Sequence, residues 1–197
     1  LDVWSYENPE PNTKEKAKYQ KASQIANRLL GKESITETNE EAFLKQQFSR
    51  LDVSKIGLDS SLLAVIQERL VEAQKCLKSD APLAVIFLCG SILEGILLDV
   101  ASKNPRKFNQ AKSSPKDKNG KVRMFPEWSL AQLINTASEA GFLKLDVKKF
   151  SHELRDFRNY IHPFQQSCSR FSPTKHTAEI CLQVLKAAIA DLSGVRK

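Results

Sequence analysis

The chain has 197 residues, 41% of them hydrophobic and 27% charged, and a formal net charge of +7. That length suits one packed domain plus an appendage, and that composition excludes wholesale disorder. The four cysteines (Cys76, Cys89, Cys168 and Cys181) lie far apart, with no Cys-x-x-Cys and no histidine at ligand spacing. No metal or cofactor is therefore expected, and the thiols read as those of a reduced, cytoplasmic protein. The chain begins at Leu1, as a fragment or processed product would, and no charged segment followed by an apolar run suggests secretion.

The positive charge is unevenly placed. Lys103, Arg106, Lys107, Lys112, Lys116, Lys118, Lys121 and Arg123 stand against a single acid, Asp117, so this segment carries the whole +7 excess. One basic patch on a neutral body is what a polyanion such as RNA requires. A solvated, flexible loop gives the same pattern. Pro105, Pro115 and Asn119-Gly120 break the segment, which reads as loop-like from Asn104 to Pro126 and argues against a helix-turn-helix DNA reader. Asn119-Gly120 between lysines fits a hairpin tip, with weak flanking alternation.

In chain order, residues 1–12 carry Trp4, Tyr6, Pro9 and Pro11 and read as an extended arm that docks on this chain or on a partner protein. Thr13–Leu30 reads as a helix stopped by Gly31, and Thr38-x-x-Glu41 as a capping box opening a second helix. Both are thinly apolar. Residues 1–57 are therefore expected to be an appendage to a helical domain spanning 58–197.

In that domain, Ser60 to about Lys78 places Leu62, Ile66, Leu70, Ala73 and Leu77 on one face. Pro82 suits the first turn of the next helix. Leu83–Ala101 is apolar nearly all round and about as long as a membrane span, but Glu94, Asp99 and the small residues Gly90, Ser91 and Gly95 favour a buried central helix and no membrane partner. Gly90 and Gly95 would let a neighbour approach closely. Glu94 needs a partner, because a buried, uncompensated carboxylate costs several kcal/mol, roughly enough to unfold a small domain. Arg155 and Arg158 are the candidates, whether the pair is functional or a structural ion pair. Ser129-x-x-Gln132 is a capping box for a short helix stopping at Gly141, and Thr174 to about Ser193 reads as the last helix, with a loop from Phe164 to Pro173 before it. The fold class expected is all-α, a bundle of four or five helices.

The most informative stretch is Phe150–Pro163. Wound as one helix, it puts Phe150, Leu154, Phe157 and Ile161 on a core-facing stripe and Ser151, Arg155, Arg158 and His162 on the flank. Pro163 would leave His162 at the helix C-terminus, where the dipole favours imidazolium. Two guanidiniums and an imidazole on one edge suit a phosphate. His152 and His176 fall outside the cluster and read as surface residues.

Arg155-Asp156 followed by His162 after a six-residue spacer resembles the Arg-x4–6-His signature of the HEPN superfamily, and Gly90-Ser91-x-Leu93-Glu94 is similar to a motif of related proteins. The resemblance covers about Asp59 to Ser193. It implies a small all-α domain that dimerises. Many such domains are metal-independent endoribonucleases of toxin–antitoxin, abortive-infection and antiviral defence systems; others are non-catalytic modules that bind RNA, nucleotide or protein. Arg158-Asn159 carries the commoner Arg-Asn pair but stands one residue too close to His162, and Phe164 replaces the tyrosine that some members present two places after the histidine.

If the site cleaves RNA, the 2′-hydroxyl attacks the adjacent phosphate, one group removes a proton and another protonates the leaving oxygen. An imidazole titrates near neutrality and serves either role, while a bidentate arginine suits the charge growing on the phosphate oxygens. One chain offers one histidine in the cluster, so a homodimer supplying a second is expected. Arg155, Arg158 and His162 are the candidate catalytic residues, with Glu94, Asp156 and Asn159 supporting them. The alternative is a non-catalytic module for dimerisation, RNA or nucleotide binding, or assembly with a partner.

Overall fold

The computed structural model describes residues 52–196, and the arm and two helices expected before them lie outside the described residues. Within that span the chain is all-α, with seven helices and no strand. They are α1 (Ser60–Lys78), α2 (Pro82–Lys103), α3 (Pro105–Gln110), α4 (Leu130–Glu139), α5 (Leu145–Arg158), α6 (Pro163–Ser169) and α7 (Lys175–Leu192).

Local signals set most of these boundaries. The Asp59 side chain accepts from Ser61 N at 3.0 Å and starts α1; Pro82 lies in the first turn of α2. Both halves of the Ser129/Gln132 capping box form at α4, and Thr174 caps α7 with Thr177. Gly141, at φ +81, takes the left-handed conformation after α4 that residues with a Cβ adopt only at a cost.

α2 is the centre of the packing. Val85, Ile86, Ile92, Leu93, Ile96 and Leu97 are buried against α1, α4, α5 and α7, and each fully buried aliphatic side chain contributes roughly 1.5–3 kcal/mol. The helix is long and apolar enough to cross a membrane by length and composition, but its burial here is that of a core helix. One stripe (Phe87, Ser91, Glu94 and Leu98) stays at least partly open to solvent. The last turn of α7 is tied to the start of α5: Asp191 Oδ2 accepts from Lys144 N at 2.9 Å, and Arg196 reaches Asp146 at 2.6 Å and Asp191 at 3.3 Å.

Three expectations are corrected. The helix carrying the arginines ends at Arg158; Asn159–Ile161 tightens into a 3-10 turn and His162 is extended at φ −83, ψ 111. The cause is Pro163, whose ring disfavours the helical region for His162 before it. Pro163 then opens α6, so the segment expected as a loop from Phe164 is helical to Ser169 and turns at Arg170, at φ +52. Asn104–Pro126 is likewise not all loop, because Pro105 starts α3 and Lys116 pairs with Val122 across a bridge.

Candidate functional site

The C-terminal half of α5 brings Arg155 and Arg158 to one edge of the bundle, and Phe150, Leu154 and Phe157 are the buried residues that seat it. Ile161, expected on the same stripe, has no described side chain. Ser151 does not join the edge; it faces inward, fully buried.

Arg158 lies across α2. A Cβ on Gly90 would stand 2.7 Å from Arg158 Cδ, so the missing side chain at Gly90 is what lets the arginine stem lie flat. Its Nη1 then meets Glu94 Oε2 at 2.8 Å, one turn farther along α2. Glu94 therefore has the partner expected of it, but it is not sealed: the two side chains are 28% and 34% exposed. Between them on the sequence, Ser91 Oγ accepts from Arg69 Nη1 of α1. The Gly-Ser-x-Leu-Glu run thus joins three helices, with Leu93 fully buried inside. A Cβ on Gly95, also expected at a close approach, would meet Ile66 Cδ1 at an ordinary 3.6 Å.

Arg155 pairs instead with the neighbouring Asp156, through Nε at 3.0 Å and through Nη2. Asp156 and Asn159 are exposed. His162 is exposed too, and its position differs from the expected one. Its N–H donates to Asn159 O at 3.2 Å while its carbonyl accepts from Gln166 N at 3.0 Å, so it joins a 3-10 turn to the start of α6. It caps the end of that turn and the start of α6, and is not the last residue of α5.

His152 was expected at the surface and is half-buried. Its Nε2 is 3.0 Å from Asn135 Oδ1 of α4. Burial first, then the positive charges of Arg155 and Lys148, hold its imidazole below the ordinary histidine value, with Asp156 opposing. His176 is exposed beside Glu179 at 3.3 Å.

Cys89 and Cys181 are buried, with the Cys89 thiol pushed up to about 12 by burial, while Cys76 is half-buried and Cys168 exposed. Among the described residues no group of three or more histidine, cysteine or acidic side chains is arranged to hold a metal. No protein-family model matches the chain, and no curated protein or solved structure shows significant similarity to it.

Proposed function

We propose that this chain is a HEPN-like domain that cleaves RNA as a homodimer, in a toxin or defence setting, with Arg155 and His162 as the groups that meet the scissile phosphate. The observation that carries this reading is the exposed His162, one 3-10 turn beyond the end of α5, whose last turn presents both arginines. His162 would move the proton to or from the ribose oxygens, and a second copy would supply the complementary imidazole.

The two arginines take different roles. Among the described residues Arg155 is paired only with an exposed neighbour, and such surface pairs hold together by less than about 1 kcal/mol, so a phosphate can displace Asp156. Arg158 is committed by its stem over Gly90 and its head on Glu94, and acts as a positioning residue. Metal independence follows from the family resemblance alone.

A second reading has its own support. Both guanidiniums already face carboxylates within one chain, which suits a non-catalytic module that binds RNA, nucleotide or protein. An RNA cleavage assay in EDTA, comparing wild type with His162→Ala, separates the two. Cleavage that survives chelation and disappears in the variant supports the enzyme; no cleavage across diverse RNAs favours the module. Light scattering that finds a monomer at micromolar concentration would remove the two-copy site.

A further inference from the structure

The basic segment takes no part in the site above, and it is folded. Phe108 is fully buried, with its ring 6.3 Å from Phe125, 6.4 Å from Trp128 and 5.4 Å from Phe142. Glu139 of α4 accepts from Lys112 N at 2.5 Å and Ser113 N at 2.9 Å, and Ser114 Oγ donates to Phe108 O. Trp128 Nε1 donates to Arg123 O at 2.9 Å. Beyond these braces, Asp117 Oδ1 accepts from Asn119 N at 2.8 Å and Lys121 N at 2.9 Å, and Gly120 takes φ +78 at the tip. The one acid of the segment is thus turned toward its own backbone.

What remains outside is cationic. All eight basic side chains are exposed, and among the described residues only Lys103 is in a salt bridge, with Asp99 at 2.8 Å. In the ring cluster Phe108 and Trp128 are buried and Phe125 and Phe142 half-buried, Met124 beside them is exposed, and Lys107 Nζ stands 5.0 Å over the Phe142 ring. Asn109, Gln110, Ser113 and Asn119 are the exposed polar neighbours.

We infer that α3 and the turn after it form a preorganised surface for the phosphodiester backbone of a nucleic acid. Ordered cations lose less side-chain and backbone freedom on binding than the same charges on a free loop. A membrane surface is the poorer match, because interfacial segments present a whole face of aromatic and aliphatic side chains, and here Met124 is the one exposed large apolar side chain among eight exposed cations. Single-strand stacking platforms also need outward rings, so the contacts expected are to phosphates, tolerant of sequence and steep in salt. The surface begins at Lys103, and Gly90, under Arg158, lies about 20 Å back along α2 from the rise per residue. It can therefore be altered without touching the Arg/His edge. The choice of RNA over DNA rests on the proposed function; the surface does not.

The test uses the full chain carrying His162→Ala, so that bound RNA is not cut, with binding read by fluorescence anisotropy of a labelled RNA and a DNA of the same sequence. Changing Lys112, Lys116, Lys118 and Lys121 together to Gln is expected to weaken RNA binding by at least about tenfold near 0.1 M salt and to flatten the log–log salt slope by about 2 to 3. The same four positions changed to Arg should bind as the parent does, and unchanged circular dichroism in both variants confirms the fold. Equal weakening by Gln at Lys55, Lys75, Lys78 and Lys175 would overturn the inference, since net charge alone would then explain it. Binding to phosphatidylserine vesicles without binding to either nucleic acid would overturn it in favour of a membrane. Tight RNA binding by a wild type that never cleaves upholds the surface while the ribonuclease fails.

Discussion

Arg158 Nη1 lies 2.8 Å from Glu94 Oε2, and the stem of that arginine crosses α2 over Gly90. The contact joins α5 to the central helix at the point where the candidate site is built. Its strength depends on its wetness. Side chains that are 28% and 34% exposed belong with surface pairs rather than sealed ones. A double-mutant cycle with Glu94→Gln and Arg158→Gln, read by urea denaturation, is expected to give a coupling of about 0.5 to 1 kcal/mol. A value above about 3 kcal/mol would mean the pair is effectively buried, and the account of this edge would be wrong.

The two glycines of α2 should respond oppositely to alanine. Gly95 has room for a methyl group at ordinary contact distance, so Gly95→Ala is expected to stabilise by about 0.5 to 1 kcal/mol through helix propensity. At Gly90 the new Cβ would meet Arg158 Cδ at 2.7 Å, and the arginine must lift away from Glu94. That displacement should cancel the propensity gain or exceed it. Chemical denaturation of both variants side by side is the check; equal stabilisation would show that Arg158 is not held over Gly90.

His152 should make stability depend on pH. Its folded-state value is lowered from 6.5, so the unfolded chain takes up the proton first as the solution is acidified. Stability contributed by the neutral ring is complete above the unfolded value and is lost as the pH falls through the folded one. Melting temperatures measured from neutral to mildly acid pH should decline less steeply in His152→Gln than in wild type. In an NMR titration, the His152 ring should turn over below the ordinary histidine value; a midpoint above it would contradict the half-buried placement against Asn135.

Phe108 holds the basic segment in shape. Removing a fully buried aromatic ring typically costs about 3 to 5 kcal/mol, so Phe108→Ala should unfold at much lower denaturant. Because Trp128 lies in the same cluster, its fluorescence should shift toward that of exposed tryptophan. A variant as stable as wild type would mean that the segment is not braced as described.

Much of the fold was legible before any coordinates. The spans of α1, α2, α4 and α7 follow from Asp59, Pro82, the Ser129/Gln132 box and Thr174, each acting within a few residues of itself, together with apolar spacing at the helical period. The break after Arg158 was legible as well: Pro163 restricts His162, and reading the stretch as one helix to His162 gave that restriction too little weight. The half-buried His152 was missed because its partner, Asn135, is on another helix.

Local chemistry along the chain determined where helices start, which stripes turn inward, and that one segment carries the net charge. Only the packed arrangement decided that Glu94 takes Arg158 and leaves Arg155 to Asp156, and that the basic segment is braced by four aromatic rings and Glu139. Arg155 and Arg158 are three apart on one helix, so periodicity alone does not choose between them. The choice lies in the crossing of α5 over Gly90, a relation between residues far apart in sequence that no local pattern encodes.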